Sequence, residues 1–300
     1  MSVSALAIAA PGASLAMDHS LRLGTVVQSG VFGVSHDASD YDPQYGDPTS
    51  VLDFAPVQSM ALELGLSGVW GAGSWYDLTA RAGILSGGQF RDSDYYSGQV
   101  TFSDTLSDVA LEGSFSLALR GADGGWGSWA VGSFQASPYV VGSLGYRQFD
   151  AVGLDCSVGC TQPDFSVFDD VVVITQDVFD VQAGPGIRLV QQIDADQRVE
   201  IHGEVMAGYR HVADSHHFRN DLGPTPNILF DFAVASASID VAYMRQISEG
   251  AEISLGAFAD GGLGYGQATF WAQSDEPVSG LPALNWQGNA GLRLGLGVAF

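Results

Sequence analysis

Along much of the chain, apolar residues alternate one by one with polar or small residues, the period of a strand with one greasy face. In MALELGLSGVW (60–70), Met60, Leu62, Leu64, Leu66 and Trp70 share one face, while Ala61, Glu63, Gly65 and Ser67 share the other. Tyr76 to Ile84 repeats the pattern with Asp77, Thr79 and Arg81 on the second face. Further on, Val109, Leu111, Phe115, Leu117 and Leu119 oppose Glu112, Ser114, Ser116 and Arg120. The alternation predicts ten strands, roughly 21–34, 58–70, 75–86, 108–120, 138–152, 177–190, 198–212, 229–246, 251–266 and 287–300. Connections after the first, third, fifth, seventh and ninth strands are long; 71–74, 121–129, the QQIDADQ stretch and 248–250 are tight. A soluble sandwich would also show one apolar face, so the period alone does not fix the class.

The last strand decides between them. GLRLGLGVAF places Leu292, Leu294, Leu296, Val298 and Phe300 on one face and Arg293, Gly295, Gly297 and Ala299 on the other. An amphipathic strand closing on an aromatic resembles the end of bacterial outer-membrane barrels. An even strand number, with long loops on one rim and short turns on the other, fits that architecture. The expected fold is therefore all-β, a ten-stranded antiparallel transmembrane β-barrel. Strands of these lengths exceed the ~9–11 residues needed to cross a bilayer, so the barrel is expected to project beyond the lipid on the long-loop side. Glu63, Asp77, Arg81, Glu112, Arg120, Glu204, Asp240 and Arg293 would then enter the lumen and pair there.

Composition narrows the function. Hydrophobic residues make up 46% of the chain, yet no apolar run approaches the ~20 residues of a spanning helix, which excludes a helical membrane protein. The net charge of −23 sets 34 acids against 11 bases, all of them arginine, and leaves no positive footprint for nucleic acid. MSVSALAIAAPGASLA (1–16) reads as the apolar part and cleavage region of a truncated secretory signal, with Ser14 and Ala16 before the cut and the basic leader missing. Residues 17–300 are expected to form one barrel domain. Cys156 and Cys160, four apart with no nearby His, suit a small loop disulfide in an oxidising compartment better than a zinc site.

Two clusters on the long-loop side carry candidate chemistry. GGQFRDSDYYS follows the third predicted strand with Asp92 and Asp94 two apart; YRHVADSHHFRND follows the seventh with Asp214 and His216 two apart. The first resembles the Gly-Gly-x-x-x-Asp-x-Asp-aromatic segment of the omptin family of outer-membrane proteases, and the second that family's Asp-x-His segment. LGT (23–25), LDF (52–54), TFSDTLSD (101–108) and GY (145–146) extend the resemblance in the same order over most of the chain. It implies an endopeptidase of the outer membrane of a Gram-negative bacterium, with its active site facing the exterior and its peptide or protein substrates at the cell surface. It implies Asp92, Asp94, Asp214 and His216 as catalytic residues. It calls for no cofactor or metal, and it leaves open whether lipopolysaccharide, the family's activator, is needed.

The residue types suit that chemistry on their own account. An imidazole can take a proton from water while a carboxylate fixes its tautomer, and two residues apart on an extended segment, Asp214 and His216 point the same way. Asp92 and Asp94 likewise share a face, and neighbouring carboxylates raise one another's pKa. His217 falls on the opposite face from Asp214, and His211 reads as a strand-end residue. Metal binding by HVADSHH lacks an H-E-x-x-H helix, and no G-x-S-x-G elbow is present. Omptins cleave beside basic residues, using an acid near the top of the opening strand and another two positions before the catalytic Asp of the Asp-His pair. Here that second position is Val212, and the opening strand reads VVQSGVFGV without an acid. Strict Arg or Lys specificity is therefore not carried over. The competing function is a non-catalytic barrel, whether porin, adhesin or structural anchor.

Overall fold

The computed structural model describes residues 19–70, 74–105, 110–158, 171–218, 222–271 and 276–300. The signal segment 1–16, Cys160 and the Cys156 side chain lie outside the described residues, and with them the expected disulfide.

The described strands are β1 (His19–His36), β2 (Tyr45–Trp70), β3 (Ser74–Tyr96), β4 (Gln99–Thr105), β5 (Ala110–Ala122), β6 (Trp129–Val131), β7 (Phe134–Val152), β8 (Leu154–Val158), β9 (Val172–Gln192), β10 (Gln197–His216), β11 (Ile228–Ser248), β12 (Ala251–Phe270) and β13 (Val278–Ala299). Ten of them close a ring in the order β1-β2-β3-β5-β7-β9-β10-β11-β12-β13, every pairing antiparallel, with β13 returning to β1. Closure leaves no free edge in the ring, as a sheet in lipid requires. The ten ring strands coincide with the ten predicted from alternation. The three extra strands are short. β6 pairs with β7, while β4 folds back on β3 and hands on to β8. The β3–β4 turn sets Ser97 and Gly98 at φ 51° and 75°, the left-handed pair of a two-residue hairpin.

Observed strands run further than predicted, chiefly at the long-loop end. β2 begins at Tyr45 rather than near 58, β3 continues to Tyr96, and β10 reaches His216. Asp92, Asp94, Asp214 and His216 were expected in loops just beyond their strands; they lie on the strands themselves.

The ring has two halves. Near the tight turns, Leu21, Leu23, Leu62, Leu64, Leu255, Leu292, Leu294 and Leu296 stand exposed on the outer wall, an apolar band suited to lipid. Inside that band the lumen holds paired charges: Arg22–Asp77 (2.6 Å), Arg81–Glu63 (2.7 Å), Arg120–Glu204 (2.5 Å), Arg188–Glu200 (2.7 Å) and Arg293–Asp240 (2.7 Å). All the lumenal charges named from the sequence are thus paired except Glu112, whose side chain is outside the described residues. Cavities of about 280 and 270 Å³ remain among these networks. In the long-loop half the polarity inverts. Phe32, Val34, Leu52, Phe54, Phe90, Phe149, Val178, Val212, Phe230 and Phe232 turn inward into a buried core. Phe149 of β7 stacks on Phe32 of β1 (5.4 Å) and meets Phe54 of β2 (5.1 Å), so aromatic rings from facing walls meet across the lumen.

Candidate active site at the mouth of the barrel

Above the aromatic floor, β10 ends on Asp214 and His216 with both side chains inward. Asp214 Oδ1 lies 3.3 Å from His216 Nδ1; the carboxylate is fully buried and the imidazole nearly so. Gln176 of β9, directly across the ladder from Asp214, donates its Nε2–H to Oδ2 at 3.1 Å and is itself fully buried. Asn227 holds the backbone of this strand end. Its Oδ1 accepts from His216 N (3.0 Å), its Nδ2 donates to His216 O (3.1 Å), and its own N donates to Asp214 O (3.1 Å). These bonds satisfy strand-end groups that would otherwise be buried without partners.

The electrostatics of Asp214 set it apart. Burial pushes its carboxyl up to about 7, opposed by the Gln176 hydrogen bond and by the charge of His217. An acid titrating near neutrality beside an imidazole makes a pair that exchanges a proton at low cost.

His217 takes the other side of the strand. It is exposed, its Nε2 is 3.0 Å from Thr175 Oγ1, and that hydroxyl donates to Asp150 (2.7 Å). His211 likewise faces outward, with Nδ1 2.9 Å from Asp231. Parity therefore separates His217 from His216 as the sequence predicts, whereas His211, expected at a strand end, lies within β10.

Asp92 and Asp94 lie on β3, opposite Leu52 and Ser50 of β2. Leu52 is an inward core residue, which places Asp92 on the lumenal face. Asp92 is half-buried and accepts from Ser50 Oγ at 3.4 Å; Asp94 is exposed. Around the ring β3 and β10 stand four places apart by one arc and six by the other, on facing walls.

Val212, the position of interest for specificity, is fully buried below Asp214 and opposite Phe230. Phe32 occupies the inner face of the opening strand, also buried. Apolar side chains thus fill the ground beneath the pair. Sequence reasoning missed two neighbours of the site, Gln176 and Asn227. Asn227 sits in GPTPN, which reads as a turn, and inward parity alone would have singled out Gln176.

No family-wide sequence profile matches the chain, and no curated protein sequence does. Solved structures do. The outer membrane protease OmpT from Escherichia coli superposes with a TM-score of 0.76 at 10% identity, covering 94% of this chain and 97% of that one. The translocator domain of the autotransporter NalP from Neisseria meningitidis gives 0.40 at 11% identity, over 95% of this chain and 89% of that one. The toluene transporter TbuX from Ralstonia pickettii gives 0.31 at 10% identity, over 94% and 90%. The first of these shows an omptin-like, outer-membrane type of barrel fold, and at this identity it speaks for the fold alone.

Proposed function

We propose that this chain is an outer-membrane endopeptidase of a Gram-negative bacterium, with its cleft open to the exterior and peptides or proteins at the cell surface as substrates. The observation that carries the reading is the Asp214–His216 pair: a fully buried carboxylate 3.3 Å from an imidazole at the end of the barrel that holds the inward apolar core.

His216 is the general base. It takes a proton from water as the water oxygen bonds to the scissile carbonyl carbon, and it returns that proton to the leaving amine as the C–N bond breaks. Asp214 holds the imidazole through Nδ1 and stabilises the imidazolium. Asp92 and Asp94, on the facing wall, position the attacking water. The mechanism uses no cofactor, metal or covalent nucleophile. Lipopolysaccharide enters as the lipid surround and as a candidate activator.

The same apolar core disfavours a porin, because buried side chains such as Phe32, Phe54 and Phe149 line the upper lumen where a water-filled channel calls for polar ones. A non-catalytic adhesin or anchor would have no use for a desolvated carboxylate that costs stability. To test the reading, the refolded barrel is incubated with a mixed peptide library, with and without lipopolysaccharide, and the products are read by mass spectrometry. Internal cleavage is expected, and an untouched library under both conditions would overturn the proposal.

A further inference from the structure

One polar side chain beside the proposed pair has no assigned part in the chemistry. Gln176 of β9 lies in an inward row that crosses five strands: Phe149, Gln176, Asp214, Ile228 and Phe270. Along its own strand the inward neighbours are Ile174 and Val178, both buried, and Phe149 across the ladder is buried too. Apolar groups thus close three sides of a fully buried amide, and the fourth side is Asp214.

The hydrogen bonding of that amide is one-sided. Its Nε2–H donates to Asp214 Oδ2 (3.1 Å), whereas its Oε1 is buried without a hydrogen-bond partner among the described residues. A buried acceptor left unpaired costs stability that an apolar side chain of the same length would avoid. What the amide supplies is a single N–H, aimed at the carboxylate oxygen that does not face His216. With Oδ2 held in this way, Oδ1 is left toward His216 Nδ1 at 3.3 Å.

A donor at a carboxylate favours its charged form. Burial pushes the Asp214 carboxyl up to about 7, and the Gln176 hydrogen bond acts against burial, together with the charge of His217. The β7 and β11 residues beside the pair, Phe149, Ile228 and Phe230, are uncharged. The other charged or titratable groups on the inner face are His216 above the carboxylate, Arg210 and Asp180 below it and bonded to each other (3.2 Å), His36 on β1, and Asp92 and Asp94 on β3.

We propose that Gln176 is a positioning residue for the acid–base pair, its amide N–H fixing Oδ2 of Asp214 so that Oδ1 stays on His216 and the carboxylate keeps the charge that the imidazolium needs. The inference rests on reading Asp214 and His216 as that pair. The probe is the Asp214 carboxyl signal in carbon-13 NMR of the aspartate-labelled barrel in detergent micelles, identified as the signal missing from Asp214→Asn. Gln176→Met keeps the length of the side chain and removes the donor. It should raise the proton affinity of Asp214 about tenfold, moving its midpoint up by about one pH unit. The acid limb of the cleavage profile should move with it, so that the rate at pH 7 falls roughly fivefold and recovers by pH 9. An unmoved Asp214 midpoint in folded Gln176→Met would overturn the proposal, as would an acid limb of cleavage that stays in place. Should Gln176→Met fail to fold, as judged by heat-dependent gel mobility, the wild-type Gln176 side-chain amide signal must move as pH passes through about 7 and stand still in Asp214→Asn. An amide signal indifferent to pH would overturn the proposal equally. The midpoint is read without peptide. A shifted midpoint in a barrel that cleaves nothing would sink the proposed activity alone, and an unmoved one in a barrel that cleaves would sink this inference alone.

Discussion

Two ends of one strand, β11, follow opposite rules. Toward the tight turns Ile239 and Val241 are exposed and face outward. Toward the mouth Ile228, Phe230, Phe232 and Val234 are buried inward, and the pairing with β10 runs through both stretches without a bulge. β1 behaves alike: Leu21, Leu23, Val27 and Val31 are outside and exposed, Phe32 and Val34 inside and buried. In the lipid band the solvent outside is hydrocarbon, so apolar residues face out and charges retreat into the lumen. Beyond the band the outside is water, and the same strands turn their apolar residues in.

The two halves also treat buried carboxylates differently. In the lower lumen Glu63, Asp77, Glu200, Glu204 and Asp240 each meet an arginine within 2.7 Å. In the upper half Asp214 is buried completely against Gln176 and His216, with no arginine among the groups that shift its titration. Arginine neutralises the lower carboxylates; Asp214 is instead desolvated beside an imidazole. Substitution in each half should act differently, with the largest effect at the unneutralised acid.

Asp214→Asn should cost 10²–10⁴-fold in peptide cleavage while making the barrel more resistant to heat at pH 8. The sign follows from linkage. The folded carboxyl titrates near 7, above its ordinary value of 3.8, so its stabilising protonation is complete below about pH 4 and is lost as pH rises through about 7. At pH 8 the wild type bears the full cost of the buried charge, on the order of 4 kcal/mol. Comparing wild type and variant at pH 5 and pH 8 by the temperature at which the compact gel band is lost should show the wild type weakening with pH and the variant holding steady.

Arg120→Met should do the reverse. It strands Glu204 in the lumen, which keeps only the hydrogen bonds from Tyr139 and Ser238, and should destabilise by about 3–5 kcal/mol. The cleavage rate per folded molecule should stay near wild type. A large loss of rate in the folded fraction would mean that the lumen and the mouth are not separable.

Acid should quench the site before it harms the wall. Cleavage should fall as pH drops through about 7, when Asp214 takes up a proton and no longer supports an imidazolium. A rate–pH profile measured on folded barrel checks this, and a rate that stays flat down to pH 5 would contradict it.

The smallest effect concerns specificity. With Val212 and Phe32 buried beneath the pair, neither position offers the carboxylate whose charge-assisted hydrogen bond, worth ~1.5–3 kcal/mol, would favour a basic side chain. Cleavage in a peptide library should therefore not be confined to bonds flanked by Arg or Lys; near-exclusive cleavage between basic pairs would show that some other acid serves.

How much of this was legible in the sequence follows from the same inversion. The lipid-facing stretches, such as Met60–Trp70 and the C-terminal strand, announce themselves by outward leucines, and all ten ring strands were found through them. The upward extensions were not, because above the lipid the apolar parity switches. In β2, Leu52 and Phe54 carry the inner face where Glu63 carries it lower down, so a search for one continuous stripe stops near 58. The shared parity of Asp214 and His216 was legible from spacing, as was the outward turn of His217. Parity points Gln176 inward, but its bond to Asp214, like the grip of Asn227 on the strand end, depends on cross-strand register that no local pattern encodes.

The central claim is that Asp214 and His216 form the acid–base pair of the proposed cleavage, while the arginine-paired carboxylates of the lower lumen do no chemistry. The most direct test measures cleavage of one susceptible peptide by wild type, His216→Ala and His217→Ala, each shown to be folded by its heat-dependent gel mobility. The account predicts a loss of at least 10²-fold for His216→Ala and a rate within about twofold of wild type for His217→Ala. Full activity in His216→Ala, or a greater loss in His217→Ala, would contradict it.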